Sequence, residues 1–360
     1  MPIKPQMLQL KSLACFFSKR FSAPAVPSIC LACDFGKSDI LFLEAEKSSS
    51  GLKLLKFQRL ARPEEKGKEA KILKETFEAG GYSSRKVRIS VKGQGVIVRF
   101  VQFPQMKLEE LRSAISFEID QYIPFKEPEV LWDFQILEEN LQSGDGVSMN
   151  VLLVAVKRDE IYTTLKIFQE AGLEVELIDV DALAAMNALA FFYPDRLQWP
   201  IAILDIGTEI SSLSVAHHGR PRFIHDISFG GFDILKRLKR KLGLSQEQAL
   251  KQISVEGVPM PEASAILRES LTDLATDLKV SLNYYLDQVP SAEPVKQLFM
   301  GNVAGYYPIV RETLGESLGI EIEAFDVLGK IQMGPEMDVE LIKKARDLLA
   351  VSLGLLIREA

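Results

Sequence analysis

Residues Ile201–Ser214 read IAILDIGTEISSLS. Four apolar residues run into Asp205, Gly207 follows two places on, Thr208 brings a hydroxyl, and another apolar-rich segment returns. The pattern predicts a buried strand, a tight turn and a second strand, with the carboxylate at the tip. These residue types suit a phosphate or a metal-bound phosphate. Gly207 admits a close backbone approach, Thr208 offers a hydroxyl and an N–H, and Asp205 can hold Mg²⁺ through water. For one such motif, a carboxylate that merely closes a turn is the simpler role.

The chain carries the motif twice. Ser28–Glu44, SICLACDFGKSDILFLE, has the same apolar run, then Asp34, Gly36, Lys37 and Ser38, then a second apolar run. One copy opens each half of the chain. A duplicated strand–turn–strand unit predicts two similar sheet domains, each aiming a hairpin into a shared cleft. Asp34 and Asp205 are then the candidate water-mediated Mg²⁺ ligands.

Composition removes several alternatives. At 360 residues, 47% hydrophobic and 26% charged, the chain has material for about two packed domains. A net charge of −6 exerts no pull towards nucleic acid. Cys15, Cys30 and Cys33 are an odd, sparse set without a matching pair for zinc, so Cys30 and Cys33 read as strand residues. No segment reaches the roughly 18 apolar residues of a membrane span. Residues 1–27 read as a partner-docked or flexible tail, with an amphipathic membrane contact as the alternative. The run KRLKRK at Lys236–Lys241 reads as a solvated helix face, and His217, His218 and His225 lack metal spacing.

Between and after the hairpins, periodicity places the other elements. A helix over Glu69–Ala79 closes at Gly80–Gly81, and Arg85–Phe103 reads as two strands with a turn between them. Helices follow over Met106–Ile123, Arg158–Ala171 and Asp181–Phe191, with strands at Val130–Leu137, Asn150–Val156 and Val175–Ile178. In the second half Gly230–Gly231 precede an amphipathic helix, and Ser245 with Gln248 forms a capping box. Glu262–Asp287 is the longest helix. Lys296–Met300 and Ile320–Phe325 are strands around a helix over Pro308–Leu318, and a final helix spans Val339–Ile357.

Three stretches carry a family resemblance: VRFVQFP (Val98–Pro104), FEIDQYIPF (Phe117–Phe125) and AVKRDEIYTTLKIFQEAGLEVELIDVDALAAMNAL (Ala155–Leu189). With the two hairpins they make the chain resemble the PilM family of type IV pilus assembly proteins, related to FtsA, over about Ile29–Met333. The resemblance implies an α/β, actin/Hsp70-like two-domain ATPase fold. Domain I would cover 28–200 with an inserted 1C-like subdomain at about 86–180. Domain II would cover 201–338 with a 2B-like subdomain at about 231–295, and a C-terminal helix at 339–360 would pack on domain I.

It also implies ATP and Mg²⁺ as cofactors, with Asp34, Gly36, Lys37, Ser38, Asp205, Gly207, Thr208, Gly230, Gly231 and Gly301 at the nucleotide. The match is incomplete. Leu41 replaces the first hairpin's lysine, Asn302 takes the second place of a glycine pair, and Ala249–Leu250 stand for an Ala-Glu pair. A lost charged hydrogen bond costs about 1.5–3 kcal/mol, so nucleotide binding is expected to be weak or vestigial. The implied function is a scaffold at the cytoplasmic face of the inner membrane, reaching the membrane through partners. The N-terminal peptide of a PilN-like membrane protein would dock by the insert, near Phe103, Phe117, Tyr122, Ile123 and Phe125. An active actin-like ATPase, in which Asp205 as the catalytic residue positions the metal or the attacking water, and a GspL-like module of type II secretion are the alternatives.

Overall fold

The computed structural model describes residues 28–49, 51–63, 65, 67–143, 146–253, 259–289, 291–303 and 307–358; the tail at 1–27 with Cys15 lies outside them. The first half runs β1 (Ser28–Phe35), β2 (Asp39–Ser48), β3 (Gly51–Ala61), α1 (Glu69–Gly80), β4 (Lys86–Val91), β5 (Val96–Pro104) and α2 (Leu108–Tyr122). It continues with β6 (Val130–Ser143), β7 (Gly146–Lys157), α3 (Arg158–Glu170), β8 (Glu174–Val180) and α4 (Asp181–Phe192). The second half runs β9 (Ile201–Ile206), β10 (Ser211–His217), β11 (Arg220–Ile227), α5 (Gly231–Leu242), α6 (Gln246–Ile253) and α7 (Pro261–Gln288). Then come β12 (Gln297–Asn302), α8 (Tyr307–Leu318), β13 (Glu321–Ala324), β14 (Gln332–Met333), α9 (Val339–Lys344) and α10 (Leu349–Ile357).

The two halves repeat one topology. The first sheet is ordered β14-β3-β2-β1-β4-β8 and the second β11-β10-β9-β12-β13. In each, a first strand pairs antiparallel with its hairpin partner and parallel with a strand that arrives after a helix. Such parallel central strands are apolar on both faces: Leu31, Ala32 and Cys33 are fully buried in β1, as are Ala202 and Leu204 in β9. Cys30 and Cys33 are buried strand residues with free thiols. The sequence pattern did not mark β3 as a separate element. Its register shifts against β2 between Glu44 and Ala45, and this bulge breaks the alternation that would announce a strand.

The third sheet, ordered β5-β7-β6, is the insert. Leu111, Ile115 and Ile119 of α2 close over Phe103, Phe134 and Leu153 on one face. On the other face Leu152, Val154 and Val156 join the core shared with α4 and α10. The strands expected on either side of a turn at Gly93–Gly95 therefore part company: β4 stays in the first sheet and β5 enters the insert. The separate sheet spans 96–157, less than the expected 86–180. The difference arises because β4 and β8 pair with each other in parallel, and Phe168 of α3 packs with Leu73 and Phe77 of α1.

The expected terminal helix over Val339–Ile357 is broken at Arg346–Leu348, between polar α9 and the apolar α10. Leu349–Leu356 are buried in α10, and it crosses α4 so closely that a Cβ on Gly354 would lie 1.8 Å from the Ala184 carbonyl oxygen. Only glycine permits that approach. At the end of α10, Arg88 Nη1 donates to the carbonyls of Leu356 at 3.0 Å and Arg358 at 2.5 Å, and Lys47 Nζ to Ile357 at 2.9 Å. Cations there satisfy orphan carbonyls and the helix dipole together. Arg358 then pairs with Asp179 at 2.6 Å, both side chains buried. Elsewhere the capping box at α6 is present, with Gln248 N to Ser245 Oγ at 3.2 Å and Ser245 N to Gln248 Oε1 at 2.9 Å.

Candidate functional site

The two hairpin turns meet tip to tip. Gly36 and Gly207 occupy the same place in each, where a Cβ would lie 2.7 Å from the carbonyl oxygen of Asp39 or Ile210. Glycine at both positions is thus a requirement of the turn itself. Across the gap, Lys37 pairs with Glu209, and the hydroxyls of Ser38 and Thr208 are hydrogen-bonded at 2.7 Å. The loops that the sequence marked as phosphate binders hold each other.

Beneath them lies a charge cluster. Asp34 ends β1, Asp205 ends β9, Asp181 opens α4, and Lys92 follows β4. Lys92 Nζ is 2.7 Å from Asp181 Oδ2. Burial pushes the Asp34 carboxyl up to about 7, against the opposing pull of Lys92 and with help from Asp181 and Asp205. Burial likewise raises Asp205, countered by Lys92 and by a hydrogen bond from the Asn302 side chain. For Lys92, burial lowers the ammonium's value, but Asp181, Asp205 and Asp34 outweigh it and hold the group charged.

Two cavities flank this cluster. The smaller, about 60 Å³, is lined by Asp34, Gly36, Lys37, Ser38, Asp205, Gly207, Thr208 and Gly301 among others. It is well under the roughly 300 Å³ of a small-molecule site. Gly230 and Gly231 stand away from it. The Gly231 N–H donates to Gly207 O at 2.9 Å and that of Phe232 to Thr208 O at 2.8 Å, so the start of α5 serves the hairpin. Gly301 is a packing position, its absent Cβ lying 3.1 Å from Ile203. The larger cavity, about 780 Å³, runs from the same cluster and second hairpin, at Lys92, Asp205, Gly207 and Thr208, to the insert at Val96–Arg99, with Val180–Ala182, Ile210, Ile224 and Asp226 also lining it. The insert is tied to β11: Glu138 receives Arg222 at 2.6 and 2.7 Å, and Arg220 at 3.2 Å. These bonds hold the Glu138 carboxyl below its usual range.

The residues expected at a partner separate into three groups. Phe103 and Ile123, 3% and 5% exposed, belong to the insert's own core, a correction to the expectation that all five face a partner. The apolar stripe of α2 needs them to close its sheet. Tyr122 and Phe125 are half-buried against that core, with Phe125 beneath Lys157 Nζ at 4.5 Å. Phe117 is 89% exposed.

Lys92, Asp181, Glu209 and Glu138 escaped the sequence reading. Lys92 alone left a signal, a charge directly after the apolar strand that follows α1. The basic run on α5 is a solvated face with local partners, Arg237 to Asp273 at 2.6 Å and Lys241 to Glu269 at 2.5 Å. His225 Nδ1 meets Ser281 Oγ at 2.8 Å, while His217 and His218 stack on each other. Among the described residues no group of three or more His, Cys, Asp or Glu side chains is arranged to hold a metal ion. No helix among them is long and apolar enough to cross a membrane. Mg²⁺ fits this donor set poorly, because Lys92 already stands among the carboxylates.

The model of the family described as type IV pilus assembly protein PilM matches residues 34–360. The chain belongs to that family. A solved PilM–PilN type IV pilus biogenesis complex is similar in structure, with a TM-score of 0.77 at 22% identity over 93% of this chain and 99% of that one. The ethanolamine utilization protein EutJ from Carboxydothermus hydrogenoformans follows with 0.54 at 14%, over 93% and 91%. The fold is actin-like, with two related α/β halves around a cleft.

Proposed function

We propose that this chain is a scaffold of the type IV pilus assembly platform at the cytoplasmic face of the inner membrane. It binds the N-terminal peptide of a PilN-like membrane protein. One observation supports the reading beyond family membership: a cavity of about 780 Å³ joins the cleft, at Lys92, Asp205 and Gly207, to the insert, at Val96, Val98 and Arg99. It has the volume of a ligand site and mixes apolar walls at Val96, Val98, Ile210 and Ile224 with charged groups at Arg99 and Glu160. An extended peptide uses such a lining for side-chain pockets, with backbone groups supplying hydrogen bonds. Phe117, Tyr122 and Phe125 are the insert residues of the expected set with surface to offer a partner.

Nucleotide is an ancillary ligand in this reading. An actin-like cleft suits it, and Lys37, Asp205, Gly207 and Thr208 line the larger cavity as well as the smaller one. The second reading, an ATPase acting through Asp205, draws on the retained Asp205, Gly207 and Thr208. Calorimetry with a synthetic PilN-type N-terminal peptide, with and without ATP, separates the two. The scaffold reading expects micromolar peptide binding unchanged by ATP. Peptide binding that requires ATP, together with ATP turnover abolished in Asp205→Asn, would establish the other.

A further inference from the structure

We infer that Lys92 is the resident cation of the cleft, a covalently tethered ammonium that takes the position a divalent metal would need between the two halves. The inference rests on reading the cleft as one of nucleotide-binding ancestry. Three carboxylates from three places in the chain act on its charge: Asp34 near the end of β1, Asp181 in the first turn of α4 and Asp205 near the end of β9. Lys92 shares the small cavity with Asp34 and Asp205, and its Nζ is 2.7 Å from Asp181. Asp226 lines the larger cavity, while Asp39 and Glu209 on the hairpins are already paired, with Arg59 at 2.8 Å and with Lys37.

Buried carboxylates of one sign need a counter-charge, and the chain can take it from solution or supply its own. A tethered ammonium is present at an effective concentration well above that of a free ion and needs no ordering of a separate species. Mg²⁺ also holds its water tightly and favours octahedral oxygen geometry, a requirement that an ammonium among three carboxylates does not impose. The lysine lost from the first hairpin, where Leu41 stands, leaves no cation from that turn to serve this position. Lys37, on the same turn, is paired with Glu209. Lys92 enters instead from the neighbouring strand. It draws Asp205 of the second half towards Asp34 and Asp181 of the first, and so favours the closed hairpins without metal or nucleotide.

The test is Mn²⁺ binding to the full chain, followed by electron paramagnetic resonance and by thermal shift, without nucleotide or peptide. Wild type is expected to show no cleft binding up to millimolar Mn²⁺. Lys92→Met is expected to gain at least tenfold in Mn²⁺ affinity, to be restabilised by the ion, and to lose both effects when Asp205→Asn is added. Lys92→Arg is expected to behave as wild type. Mn²⁺ binding in wild type that disappears in Asp205→Asn, or a Lys92→Met chain with no gain, overturns the inference. Should Lys92→Met fail to fold, the wild-type and Asp205→Asn measurements decide alone. Because neither peptide nor ATP is present, the outcome is independent of whether the scaffold reading holds.

Discussion

Asp34 and Asp205 end equivalent strands of two equivalent sheets, yet their neighbours differ. Beside β1 the parallel strand β4 leads into Lys92; beside β9 the parallel strand β12 ends in Asn302, which pairs in register with Asp205. One half places a cation at that edge and the other a neutral amide. Asp181 opens the helix that closes the first half, whereas the corresponding helix, α10, opens on Leu349. The backbone repeat has been kept while the charge pattern has not. Sheet topology rests on many buried apolar residues and tolerates exchange at its rim, where strand ends meet solvent and ligand.

The halves also hold the closing helices differently. The end of α10 is bound to the first sheet by Arg88, Lys47 and the Arg358–Asp179 pair, a set of charged groups placed in the core. Removing one partner of a buried pair leaves the other charge uncompensated, which costs about 3–5 kcal/mol. Arg358→Ala is therefore expected to produce the largest effect, measured as the fall in unfolding free energy in urea. A double variant with Asp179→Ala should recover part of the loss. An Arg358→Ala chain within about 1 kcal/mol of wild type would show that the apolar packing of α10 suffices to hold the halves together.

Asp34 allows the rim charges to be titrated. Its usual value is 3.8 and the folded chain raises it to about 7, chiefly through burial, so the native state holds a proton that the unfolded chain releases. The associated stability is present below about 4 and is lost as pH rises through 7. The melting temperature should fall over that window, and Asp34→Asn should flatten the fall. Asp205→Asn should act in the same direction, since burial raises that carboxyl too. A pH profile unchanged in both variants would remove the distinction between rim and core.

The smallest effect belongs to the bridge between hairpins. Lys37 and Glu209 are both more than half exposed, and surface pairs of this kind contribute about 0–1 kcal/mol. Lys37→Ala should leave the urea midpoint nearly unchanged while increasing amide exchange at Gly36 and Gly207. Faster exchange confined to one hairpin would show that the tips open independently.

Much of the fold was legible because its signals are local. Alternation and apolar runs marked β1, β2, β9 and β10, the spacing of Leu111, Ile115 and Ile119 marked α2, and Ser245 with Gln248 marked the start of α6. β3 was missed where a bulge broke the period. The insert's separate sheet is shorter than the expected subdomain, and a parallel pair such as β4 and β8 leaves no mark in sequence: its strands lie about eighty residues apart and each reads as an ordinary apolar run.

The site divides along the same line. By itself the sequence determined the paired hairpins, with Asp34 and Asp205 at their tips and a glycine two places on, since each turn is shaped by its own few residues. It also identified the family through the stretches around Val98–Pro104, Phe117–Phe125 and Ala155–Leu189. Only the tertiary structure decided that Lys92 and Asp181 complete the cluster, that Phe103 and Ile123 are core while Phe117 is not, and that the hairpins close on each other. The reason is physical: charge interaction and burial depend on distance through space, and these side chains are brought together by sheets whose pairing spans the chain.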